Sequence, residues 1–113
     1  MKDDRAYLQH ILEAILKIET YIAGLDYEGF AKDDKTFDAV VREFTVVGEA
    51  AKNVSEKYRD EHPDIPFRDA LEMRNVLIHE YFGIDTKIVW DTAKKNIPPL
   101  KKAIAELLAQ NNF

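Results

Sequence analysis

Residues 74 to 81 read R-N-V-L-I-H-E-Y, setting an arginine, an asparagine, a histidine, a glutamate and a tyrosine among three aliphatics. The chemistry that Arg74, Asn75 and His79 suit together is phosphodiester cleavage in RNA. There the ribose 2′-hydroxyl is an internal nucleophile already tethered beside the phosphorus, so no metal-bound water is needed. An imidazole titrates near neutrality and can move the proton. A guanidinium can hold two non-bridging oxygens at once and offset charge developing on the phosphoryl group. Asn75 can orient the imidazole or the substrate by hydrogen bonds.

Spacing limits how these groups meet. On an α-helix each residue turns about 100° and rises about 1.5 Å. Arg74 and His79, five apart, therefore diverge by roughly 140° and stand about 7.5 Å apart along the axis. Arg74 and Tyr81 nearly eclipse each other, and Asn75 and His79 are neighbours. Arg74 and His79 converge on one ligand only if the helix bends near its C-terminal end, or if they come from two copies across a two-fold axis. An isologous dimer with this helix against its mate would do the second. The plain alternative is that Arg74 pairs with Glu72 or Glu80 in solvent, His79 edges the core, and Tyr81 packs as Tyr21 and Tyr58 do. Spacing alone leaves both open.

The elements that must position these residues are helical. Leu8, Ile11, Leu12, Ile15, Ile18 and Ile22 recur at three and four, predicting an amphipathic helix over 4–23. Asp3 or Asp4 can cap it and Gly24 can end it. Residues 26–33 predict a turn or a single helical turn carrying Tyr27 and Phe30 inward. A second long helix is expected from about Asp34 to Asp60, its stripe being Phe37, Val40, Val41, Phe44, Val47, Ala51, Val54 and Tyr58. Gly48, Ala50 and Ala51 form a small-residue patch where another helix can approach closely. H-P-D-I-P then breaks the chain. Pro66 opens a third helix to about Phe82, stopped by Gly83. Asp85 or Thr86 caps a fourth, with Ile88, Val89, Trp90 and Ala93 as its apolar face. Pro98-Pro99 ends or kinks it, and a last helix spans about 99–110. There is no strand pattern and no repeat. The reading is one all-α domain over 1–113, an antiparallel bundle of about five helices.

Composition narrows the setting. The 113 residues suffice for a core without disulfide or metal, and there is no cysteine. The opening M-K-D-D-R does not resemble a signal peptide, and no apolar run nears the roughly 20 residues that span a bilayer. The expected compartment is the cytoplasm, with no membrane partner. The formal net charge of −5 argues against broad, non-specific nucleic-acid binding but not against a local basic pocket.

Other residues carry weaker signals. Glu49, beside small residues, is either a partner for Arg74 or His79 or a solvated or pairing carboxylate, the second being the plainer reading. Arg42 and Lys52 can contact phosphate, though a solvated face is simpler. His10 and Glu13 have a spacing that could hold a metal, but no second pair accompanies them as a di-metal bundle requires. His62, before Pro63, reads as a turn residue. No metal and no cofactor are assigned.

The motif fits Arg-Asn-x-x-x-His-x-Tyr inside I-P-F-R-D-A-L-E-M-R-N-V-L-I-H-E-Y-F-G-I-D. With I-L-E-A-I-L-K-I-E-T-Y, V-V-G-E-A-A-K-N and V-W-D-T-A-K-K-N-I-P-P-L-K, the chain resembles the HepT family over nearly all its length. These are HEPN-fold ribonuclease toxins encoded beside a minimal nucleotidyltransferase antitoxin, MntA. The resemblance implies a HEPN-like bundle, a homodimer with its site at the interface, and metal-independent cutting of RNA, tRNA or mRNA. It places Arg74 and His79 on the catalytic pair and Asn75 on the supporting polar position. Tyr81 falls on the tyrosine that the nucleotidyltransferase adenylylates to silence the toxin. Glu72 departs from the family's usual glycine, and Phe67 from its frequent tryptophan. The alternative is a catalytically idle HEPN dimer serving as a binding or scaffold subunit for the nucleotidyltransferase.

Overall fold

Asp3 starts the first helix: its carboxylate accepts from the Ala6 N–H at 3.2 Å, satisfying one of the donors a helix start leaves open. In the computed structural model, which describes residues 3–79 and 85–110 and no side chains at 75–79, α1 runs Asp4–Ile22. Leu8, Ile11, Ile15 and Ile18 are fully buried along it, as their spacing predicts. Past its end Gly24 takes φ of 77°, a left-handed conformation that a side chain would strain. α2 (Tyr27–Ala31) turns Phe30 wholly inward and leaves Tyr27 partly buried.

α3 (Asp34–Asn53) is shorter than the expected second helix, which breaks before α4 (Glu56–Glu61). The cause is Ser55. Its hydroxyl accepts from the Tyr58 N–H at 3.2 Å, while its own N–H and hydroxyl donate to the two Asp4 carboxylate oxygens at 2.8 and 2.9 Å. A capping residue tied to the start of α1 fixes a helix start where the apolar stripe runs straight through. Val54 at the break is extended and buried.

α5 (Phe67–His79) begins right after Pro66. Asp85 caps α6 (Thr86–Lys95), accepting from the Lys87 N–H at 2.9 Å and the Ile88 N–H at 3.4 Å. Val89, Trp90 and Ala93 are buried on α6, whereas Ile88, expected on the same face, is 43% exposed. α7 (Ile97–Ala109) starts earlier than expected. Pro98 and Pro99 lie in its first turn, where their missing N–H groups cost nothing.

The described residues thus form seven helices, two of them single short turns, and no strand. It is an all-α bundle, as expected. α3 is its centre: α1 packs along one side and α5 along another, while α7 covers α1 and α6 joins α7 to α2. Phe30, Phe37 and Trp90 pack ring to ring where α2, α3 and α6 meet, with centroids 5.9 and 5.2 Å from Phe30.

Candidate functional site

Arg74 stands on α5 against α3, and Gly48 makes that possible. A Cβ placed on Gly48 would meet the Arg74 backbone nitrogen at 3.1 Å and its Cα at 3.3 Å, and would collide with its Cβ. The small-residue patch is therefore a helix-crossing point, and the residue seated there is the motif arginine. The neighbouring residues on α5 divide by face. Ala70 and Met73 are buried, Arg68 and Glu72 are exposed, and Arg74 lies between.

The arginine's head group is also held. Its Nε is ion-paired with the Glu49 carboxylate, one residue on from Gly48. Of the two carboxylates proposed from spacing, Glu72 does not take this place. Glu72 instead pairs with Arg68 at 3.2 Å, one helical turn back, and Glu80 lies outside the described residues. The ion pair fits both readings of Glu49, as a partner for Arg74 and as a pairing carboxylate. The available signal was its place beside Gly48, since the small patch that admits a second helix also brings that helix's polar groups within reach.

The rest of the motif is placed by backbone alone. Asn75 and His79 stand on α5, which is helical from Phe67 to His79, so positions 74 and 79 lie roughly 140° apart about one axis. Tyr81 lies outside the described residues.

The other candidates resolve individually. Arg42 pairs with the buried Glu43 at 2.9 Å, and Lys52 is exposed. His62 ends α4, its ring stacked on Tyr58 at 4.1 Å and its Nδ1 2.8 Å from the Tyr58 carbonyl. His10 meets the Tyr7 ring edge to face. Tyr7 and His10 line an open groove of about 280 Å³ between α1 and α3, whose far wall includes Glu49. Among the described residues no three His, Asp or Glu side chains gather as a metal set. None of the described helices is long and apolar enough to cross a membrane.

What the arrangement offers chemically is a half-exposed guanidinium fixed at a helix crossing, with one edge engaged by a carboxylate. Comparison with known proteins identifies the family. Residues 11–107 match the model of the family described as ribonuclease HepT-like. The chain is 40% identical over 108 residues to a candidate RNase of Caldanaerobacter subterraneus, covering 96% of each. It is 41% identical over 106 residues to a protein of Thermococcus cleftensis named Probable ribonuclease HepT, covering 94% of this chain and 96% of that one. No solved structure matches it. The chain belongs to the ribonuclease HepT-like family.

Proposed function

We propose that this chain is the toxin of a toxin–antitoxin pair: a metal-independent endoribonuclease that acts in the cytoplasm as a homodimer. A partner nucleotidyltransferase of the MntA kind silences it by adenylylating Tyr81. The observation that carries this reading is the complete Arg74-Asn75-x-x-x-His79-x-Tyr81 set in a chain matched to the ribonuclease HepT-like family over residues 11–107. The held, half-exposed guanidinium of Arg74 adds to it.

In this mechanism the ribose 2′-oxygen attacks the adjacent phosphorus as His79 moves the proton, and the 5′-oxygen leaves. Arg74 grips two non-bridging oxygens, and Asn75 supports the imidazole or the substrate. Because positions 74 and 79 diverge on one helix, each site takes its arginine and its histidine from different protomers. In silencing, the Tyr81 phenol oxygen attacks the α-phosphorus of ATP, pyrophosphate leaves, and a bulky anion is fixed seven residues on from Arg74, able to occupy a guanidinium and repel RNA.

The test is cleavage of an RNA, and of DNA of the same sequence, with and without EDTA. RNA alone should be cut, in EDTA as well, leaving 2′,3′-cyclic phosphate ends or their hydrolysed form. Activity lost in EDTA and restored by magnesium would overturn the mechanism.

A further inference from the structure

We infer that Glu49 is a positioning residue for Arg74: its carboxylate occupies the Nε edge of the guanidinium and leaves the terminal NH₂ groups to grip a phosphoryl group. The inference rests on the ribonuclease reading for its substrate, and on geometry for the rest.

The contact atom is Nε. A guanidinium presents donors along two edges, and a carboxylate on the Nε side points the outer fork away from itself. Stability does not explain the pair. The side chains are 34% and 45% exposed, and ion pairs so open to water add little to folding. A free arginine head, however, samples many rotamers, and every one it loses on meeting a phosphate opposes binding in the transition state. Fixing the fork beforehand removes that cost when charge develops.

The clamp is set across two helices. Gly48 seats the α5 backbone at Arg74 directly on α3, so the next residue of α3 reaches the head group from a fixed origin. The nearby carboxylates of α5 are engaged elsewhere: Glu72 with Arg68, and Asp69 with the Asn96 amide at 3.1 Å. Among the described residues, Glu49 is the carboxylate paired with Arg74.

The experiment compares RNA cleavage by the full chain with that of Glu49→Ala, Glu49→Gln, Arg74→Ala and the Glu49→Ala/Arg74→Ala double variant. Loosening the fork should lower kcat on the order of tenfold to a hundredfold, with KM within about threefold because ground-state binding is little changed. Glu49→Gln, whose amide oxygen still accepts from Nε, should recover most of the rate. The double variant should be no slower than Arg74→Ala. Unchanged or faster turnover in Glu49→Ala overturns the inference, as does a further loss on adding it to Arg74→Ala. A second readout is independent of activity: the ¹⁵N–¹H signal of the Arg74 Nε. It should be protected from exchange in the wild type and in Glu49→Gln, and lost in Glu49→Ala. If the wild type cuts no RNA, the ribonuclease reading fails, while this signal still decides the clamp; identical signals in wild type and Glu49→Ala overturn it.

Discussion

At the scale of single residues, the roles divide by what each atom must do. Arg74→Lys keeps a charge but gives up the planar two-point grip, so cleavage should fall sharply in a protein that still folds. His79→Ala removes the group proposed to move the proton and should cost about 10²–10⁴-fold in rate; unchanged cleavage would move the site elsewhere. Tyr81→Phe should remain active and escape the proposed silencing, which intact mass reports after incubation with the proposed nucleotidyltransferase partner and ATP. An equal gain of AMP on wild type and Tyr81→Phe would place the switch on another residue. Asp33 offers a pH test away from the site. The hydroxyl and backbone N–H of Thr36, at 2.7 and 3.0 Å, hold its carboxyl below the ordinary value. A carboxyl lowered by folding stabilises above its unfolded pKa and loses that contribution as pH falls through its folded one. The Tm gap between wild type and Asp33→Ala should therefore be full at neutral pH and narrow in acid.

At the scale of elements, the crossing of α3 and α5 makes opposed demands on residue 48. In an isolated helix, Gly48→Ala would gain about 1 kcal/mol of propensity. Here the added methyl collides with Arg74, and overpacking of this kind costs about 1–3 kcal/mol. The collision is with the Arg74 Cβ, which is fixed to the backbone and cannot rotate away, so the net change should be destabilising in a denaturant titration, with cleavage falling as well. This crossing was legible before any coordinates, because Gly48, Ala50 and Ala51 together leave room for one helix on another. The core stripe of α1 was equally plain, since burial follows the period of the apolar residues. The break at Ser55 was not. Val54 and Tyr58 continue the stripe, and what stops the helix is a bond to Asp4, distant in sequence. The candidate site was half legible: Arg74 and His79 stand out as candidates by residue type, but that Glu49 rather than Glu72 meets the arginine depends on which helices touch.

At the scale of the molecule, the divergence of positions 74 and 79 makes the proposed dimer testable without a structure of it. Arg74→Ala and His79→Ala, each inactive alone, can be unfolded together and refolded as a mixture. If each site takes its arginine from one protomer and its histidine from the other, a mixed dimer carries one complete site. About a quarter of wild-type activity should then return. No recovery would mean that each protomer holds its own pair, and a monomer in sedimentation at micromolar concentration would remove the dimer itself. The seat of Arg74 also bears on how such chains diverge. Gly48 admits its backbone and Glu49 takes its head group, so two adjacent codons answer to a third in another helix. A descendant that stops cutting RNA is freed from Glu49 and Arg74 together, while the helix crossing still holds Gly48. Glu49 and Arg74 should therefore be kept together or lost together across related genes while the glycine stays, a joint record of whether the lineage has gone on using its blade.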